Sequence, residues 1–239
     1  MKKIILIITI LTLTKFYAQK TYEFDYVIEY ETTFYKDSIK TKNSHFRDHQ
    51  KKIHRYYLTN SKNNDYFAII IEKDSLNYRV MFIDYNGIYS DVIFSKSDLN
   101  NAEFINIKCE NVSKYFNPQK YQSKNYDFFV LNDTVINNKS FSMYKFSSIK
   151  PKIEKRKKLG TDFFIINKST DFHLPILTHS TEYEKWNLKK NIPNGIMKER
   201  YLINYFGKIS QHEKLIKYEK TDKKIIVPKG CTDTEFIIR

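Results

Sequence analysis

The sequence holds five glycines and five prolines in 239 residues. So little glycine leaves scant material for a loop that turns several backbone N–H groups onto a phosphate, and neither a Walker sequence nor a G-x-G-x-x-G turn is present. The G-x-S-x-G elbow, the H-E-x-x-H helix and the EF-hand loop are missing as well. The two cysteines, Cys109 and Cys231, are too few and too distant to make a zinc site. No stretch has 18 consecutive apolar residues, so none is long enough to serve as a membrane-spanning helix. No repeat and no Pro- or Ser/Gly-rich linker divides the chain. These gaps exclude the motif-bearing enzyme classes, and no catalytic residue, metal ligand or cofactor is assigned.

The first 18 residues have the order of a secretory signal peptide. Lys2 and Lys3 supply a positive start, Ile4–Thr14 is an uncharged run of 11 residues, and Phe16-Tyr17-Ala18 precedes Gln19. As a helix that run would be about 16 Å long, half the hydrocarbon core of a bilayer, which is short for a permanent anchor. The reading is a signal peptide at 1–18, cleaved after Ala18, and one β-rich domain at 19–239. The protein is expected to be exported, periplasmic or secreted, with no transmembrane segment after removal of the signal. Without Lys2, Lys3 and Lys15, 38 basic residues stand against 27 acidic ones, a net charge of about +11. Such an excess suits an anionic partner, although a chain rich in Lys, Asn, Ile, Tyr and Phe also has the composition that AT-rich codons produce. Export makes nucleic acid a poor candidate.

Nineteen Tyr and 18 Phe favour strands, where large flat side chains pack on a pleated surface. From Tyr22 to Phe34, Tyr22, Phe24, Tyr26, Ile28, Tyr30, Thr32 and Phe34 alternate with mostly acidic or polar residues. That period of two predicts one long antiparallel strand, dry on one face and wet on the other. Strands are also expected near 52–58, 66–71, 78–83 and 88–94, the last two joined by Tyr85-Asn86-Gly87 as a hairpin. Further strands are expected near 104–109, 126–131, 140–146, 163–166, 196–206 and 225–227. Pro175 makes 174–177 an edge or extended segment. The basic stretch 150–160 reads as a solvated loop, and 181–190 as a short helix. Ser210-Gln211-His212-Glu213 matches a capping box and predicts a helix over 211–220. The sum is a mainly β fold: a single curved antiparallel sheet of about ten strands, a half-barrel, with one or two short helices.

Candidate sites are few. His45, Asp48, His49 and His54 offer imidazoles and a carboxylate to a metal, but they equally suit a solvated stretch. Asp171, His173 and His179 lie near Ser169, Thr178 and Ser180, yet sequence proximity does not bring a base to a hydroxyl. Lys150 to Lys158 is a basic run fit for phosphate or an anionic lipid surface. Cys109 and Cys231 are candidates for one disulfide, which export permits. The aromatics Tyr22, Phe24, Tyr26, Tyr30 and Phe34 either face a ligand or form core.

The order of elements resembles exported bacterial proteins with a lipoprotein-carrier-like sheet. The stretches that carry the likeness are Thr21–Phe34, Asp133–Lys139 with its following strand, and Phe163–Lys168 before Leu174-Pro175-Ile176; as an order of elements the likeness covers about half of the processed chain. The chain also looks like small exported proteins of GLPGLI type, whose defining motif it lacks. The resemblance implies a concave apolar sheet able to hold an acyl chain or other amphiphile, and it transfers no site residue. The expected function is therefore a non-enzymatic binding or carrier module for a hydrophobic, lipid-like ligand. The alternatives are an envelope interaction protein that uses its basic surface on an anionic envelope component, and an envelope hydrolase.

Overall fold

A computed structural model describes residues 19–35, 50–117 and 120–231. The signal-peptide stretch 1–18 and three members of the histidine cluster, His45, Asp48 and His49, lie outside the described residues. The strands are β1 (Gln19–Glu23), β2 (Tyr26–Tyr35), β3 (Gln50–Asn60), β4 (Asn63–Glu72), β5 (Asn77–Asp84) and β6 (Ile88–Ser95). Then come β7 (Phe104–Asn106), β8 (Val112–Lys114), β9 (Tyr126–Val130), β10 (Thr134–Ile136), β11 (Lys139–Ser148) and β12 (Thr161–Ile166). The last three are β13 (Met197–Ile203), β14 (Ile209–Lys220) and β15 (Lys224–Pro228). The α-helices described are α1 (Lys96–Asn101), α2 (Pro151–Lys157) and α3 (Ser180–Lys189).

Twelve strands form one open antiparallel sheet in the order β10-β11-β12-β13-β14-β2-β3-β4-β5-β6-β8, with β9 beside β11. The expected mainly β half-barrel is the fold found, with more strands than about ten. A second sheet was not foreseen: β1, β15 and β7 pair separately, β15 running parallel to β7. It covers one face of the large sheet. There Tyr22, Phe24, Ile105, Ile225 and Val227 meet Leu58, Ala68, Ile70, Val80 and Phe82, all buried. The opposite face turns inward around α3. Phe128, Phe146 and Phe164 from one wing touch Tyr183 and Trp186 of α3, and Tyr85 from the other wing joins them. Two contacts pin the helix there. Tyr85 stacks on Tyr183 with 4.0 Å between ring centroids, and the Tyr183 hydroxyl donates to Asp65 Oδ1 at 2.7 Å.

The long first strand expected from Tyr22 to Phe34 is broken at Phe24 and Asp25. The Phe24 N–H donates to Lys223 O, the Asp25 N–H to Thr59 O, and Asp25 O accepts from the Thr221 N–H. These bonds hand the chain from the small sheet to the large one. The aromatic stripe is split accordingly. Tyr22 and Phe24 join the core under the small sheet, while Tyr26, Ile28 and Tyr30 belong to the core on the opposite face. β2 is buried on both faces, because Val27 packs on the first core and the inner face is roofed by Ile176 and Ile196.

Two further expectations are corrected and a third is narrowed. The helix predicted over 211–220 is strand β14, paired with β13 on one side and β2 on the other. Two ladders satisfy far more backbone groups than the one or two a capping box offers, and tertiary pairing overrides the local signal. The basic loop at 150–160 contains α2, which has Pro151 in its first turn, Lys155, Arg156 and Lys157 in its last, and Lys158 in the left-handed region as its cap. Pro is pre-set for a helix start and cations suit the negative helix end, so the charges that suggested a loop stabilise a helix. For the segment around Pro175 the edge alternative falls and the non-sheet one stands: residues 174–178 join neither sheet and no helix. It crosses the inner face with Ile176 and Leu177 buried, and the Leu174 N–H donates to Ser61 O.

Cys109 follows β7, Cys231 follows β15, and a disulfide joins them across 122 residues with 5.0 Å between Cα atoms. The bridge ties together the ends of two strands that pair through three residues only. In the chain-entropy account a loop of this length contributes about 5 kcal/mol, by narrowing the unfolded ensemble. The double variant Cys109→Ser/Cys231→Ser is therefore expected to unfold at a clearly lower urea concentration than the oxidised protein. Reductant should move the parent midpoint toward the variant's and leave the variant's unchanged.

Candidate functional site

α3 and the crossing segment fill only part of the inner face. Beside them a cleft of about 490 Å³ remains open to solvent. Arg55 (β3), Asp162 (β12), Arg200 and Leu202 (β13) and Gln211 (β14) line its sheet side, and Thr178, His179 and Thr181 the side toward α3. Tyr126 and Phe146 form an aromatic wall and stack at 5.4 Å between centroids. The Leu159–Gly160 link between α2 and β12 closes one side. Gly160 is required by packing: a Cβ there would stand 2.7 Å from Ile203 O.

Arg200 is the hub. One Nη donates to Thr178 Oγ1 at 2.6 Å, and the other lies 2.9 Å from Glu182 Oε1 and 3.3 Å from Asp162 Oδ1. Glu182 is wholly buried, and its Oε2 has no hydrogen-bond partner. A second cluster adjoins it. Glu213 Oε1 accepts from Arg55 Nη1 at 2.8 Å, Tyr57 Oη at 3.2 Å, Gln211 Nε2 at 3.2 Å and Thr32 Oγ1 at 3.3 Å. Two guanidiniums thus face three carboxyls. Guanidiniums stay charged, so full ionisation would bury a surplus negative charge. Burial pushes the Glu182 carboxyl up to about 8, while Arg200 and the His179 backbone N–H pull it the other way. With that proton in place the two clusters balance. Burial among the same groups also raises the hydroxyl pKa values of Tyr30 and Tyr57, with the Glu213 charge adding to the effect. Both remain neutral donors.

His179 reaches solvent across the cleft, yet the surrounding walls desolvate it, and with the Arg200 charge this lowers its pKa. Its Nδ1 accepts from the Thr181 N–H at 3.3 Å as the cap of α3. A ring nitrogen held by a backbone donor is a capping group and not a base aimed at a hydroxyl.

The residues singled out from sequence lie mostly elsewhere. None of Tyr22, Phe24, Tyr26, Tyr30 and Phe34 lines the cleft; Tyr22, Phe24 and Tyr30 are core, and the Tyr30 hydroxyl donates to Met197 O at 2.8 Å. Asp171, His173 and His179 are not brought together. Asp171 is exposed, while His173 is buried against Thr59, with Nε2 2.9 Å from its hydroxyl. His54 pairs with Glu29 at 2.8 Å, and among the described residues no group of three or more His, Cys, Asp or Glu is placed to hold a metal. Arg200, Glu182, Glu213 and Arg55 were not anticipated. Each sits within a strand or helix whose apolar neighbours mark it as structural, and sequence alone gives no sign that four charged groups share one interior.

No protein-family model matches the chain, and no curated protein does. Among solved structures it is similar to an uncharacterized conserved protein from Thermus thermophilus, with 7% identity and a TM-score of 0.41 over 96% of this chain and 93% of that one. It is similar to MucB in complex with MucA(peri), with 5% identity and a TM-score of 0.37. That match covers 84% of this chain but 51% of the other, so the chain spans about half the length of MucB. A LolA-superfamily protein from Nitrosomonas europaea matches with 8% identity and a TM-score of 0.30, over 83% of this chain and 86% of that one.

Glu182 takes up its proton more readily in the folded chain than in the unfolded one. Its contribution to stability is therefore complete below its ordinary value of 4.5 and is lost as pH rises through about 8. Glu182→Gln keeps the shape and removes the titration. Subtracting the variant's urea midpoints from the parent's across pH 5 to 8 should leave a difference that declines with pH. Parallel profiles would show that Glu182 does not titrate there.

Proposed function

We propose that the chain is exported, loses residues 1–18, and works from residue 19 onward as a single β-rich binding module. In this reading it is a non-enzymatic carrier for an amphiphile in the periplasm or outside the cell. The observation that carries the reading is the open cleft on the inner face of the sheet. Its volume lies within the range of small-molecule sites. Its lining divides by chemistry. Tyr126, Phe146, Leu159 and Leu202 supply apolar contact for a hydrocarbon portion, and Arg55, Arg200, Gln211, Thr178 and Thr181 supply hydrogen bonds for a polar head. Specificity from a few fixed polar groups set in apolar walls is the general design of such sites.

Two observations favour binding over hydrolysis. The one imidazole lining the cleft is engaged by a helix cap, and the guanidiniums are already bonded to carboxyl groups, Arg55 to Glu213 and Arg200 to Asp162 and Glu182. The ligand chemistry that fits is a polar head group met by hydrogen bonds from the lining.

Two measurements test the reading. Intact-mass analysis of the protein recovered from its producing cells should show a chain that begins at Gln19; a chain that still carries its first residues removes the export step. Solvent extraction of the purified protein followed by mass spectrometry should yield a co-purifying amphiphile near one per chain. Leu159→Trp, which puts a large ring into the cleft from a half-buried position, should release it and lower binding of a fluorescent fatty acid by about tenfold or more. No extracted amphiphile, together with unchanged probe binding by the variant, would refute the carrier reading.

A further inference from the structure

One end of the large sheet gathers features that the cleft does not use. β11 ends there, β12 begins, β13 ends and β14 begins, so α2 and the β13–β14 turn stand side by side. Lys158 Nζ lies over the Phe206 ring at 5.4 Å, which fixes the two elements against each other. α2 and its flanks present Lys152, Lys155, Arg156, Lys157 and Lys158, all exposed. Among the described residues none of these five forms an ion pair. The helix itself holds one acid, Glu154, against these five cations. Beside this unopposed charge the turn exposes Tyr205, Phe206 and Ile209, with Phe206 51% accessible. The Leu159–Gly160 link runs from this surface directly into the cleft.

We propose that this end docks on the headgroup layer of an anionic lipid bilayer. The cations of α2 then meet lipid phosphates, and Tyr205, Phe206 and Ile209 enter the interfacial region, where amphipathic rings are favoured. A free polyanion would satisfy the charges but would leave the aliphatic and aromatic turn in water; a bilayer satisfies both. Docking in this orientation puts the Leu159 side of the cleft next to the membrane. It thereby extends the carrier reading, since an amphiphile would pass between bilayer and cleft without crossing open water.

The test is flotation of the processed chain with vesicles of phosphatidylcholine alone or mixed with phosphatidylglycerol. The expected result is binding to the mixed vesicles that weakens steeply with salt, and little binding to phosphatidylcholine. Replacing Lys152, Lys155, Arg156 and Lys157 by Gln should lower the affinity by about 600-fold, at about fivefold per cation. Tyr205→Ser/Phe206→Ser should weaken binding further at high salt, where charge is screened. Both variants should keep the parent's circular-dichroism spectrum and its uptake of a soluble fluorescent fatty acid in vesicle-free buffer, because none of these residues lines the cleft. Equal binding to both vesicle types, parent-like flotation of the glutamine variant, or binding to a single-stranded oligonucleotide without binding to vesicles would each overturn the proposal. Absence of fatty-acid uptake by the parent would instead strike the carrier reading and leave the flotation result standing.

Discussion

The contact on which the interior depends is that of Arg200 with Glu182. It is a buried pair between the middle of the sheet and the first turn of α3, and it decides where the helix sits. Buried pairs add little net stability, because desolvation offsets their attraction, but breaking one strands an uncompensated charge. Their value here is positional. Arg200 also reaches Asp162 on the next strand and Thr178 in the chain leading into the helix. One planar group with five donors thereby holds strand, strand and helix entry in a fixed relation, which a lysine could not do. The apolar contacts of Tyr183 and Trp186 supply the bulk of the attraction, and the arginine sets the register.

That arrangement explains why the cleft is where it is. Tyr85, Asp65 and the ring stack on Tyr183 draw α3 toward the β4–β5 wing, while Arg200 holds its first turn on β13. What remains uncovered is the floor between β3, β13 and β14 and the aromatic wall of β9 and β11. The polar groups on that floor are not stray. Glu213 satisfies four donors, and an interior with so many charged groups keeps its order only if nearly all are bonded. Two buried atoms of the clusters, Glu182 Oε2 and Arg55 Nε, have no partner among the described residues.

How much of this was legible depends on scale. The period-two patterns and the shortage of glycine and proline made the strands readable, since a face that packs on a core shows itself in every second residue. The break at Phe24-Asp25 was invisible because the alternation runs straight through it; which face a residue serves changed, but its polarity did not. β14 was misread because its inward residues include Gln211 and Glu213, polar groups placed for the interior network. A buried strand with polar inward positions carries no apolar rhythm, and a local capping motif then dominates the reading. α2 was hidden in the same way, by charges that mark its solvent face. Fold class follows from pattern within a strand, whereas the site needs pairings between residues that lie as many as 181 positions apart.

The same reasoning separates the two polar surfaces of the protein. Charges inside the half-barrel are matched nearly one for one, and a ligand there meets a neutral, hydrogen-bonding environment. Charges on α2 are unmatched, and their field extends into solvent until salt screens it, about 10 Å away at ordinary ionic strength. Matched charges select by shape and hydrogen bonding, and unmatched charges attract over distance without selecting. Under the proposed carrier reading, a chain that keeps the first kind in its cleft and the second kind beside the mouth divides recognition from approach. The division is built from two neighbouring connections: the β11–β12 crossover, which became a basic helix, and the β13–β14 turn, which kept its aromatics in water.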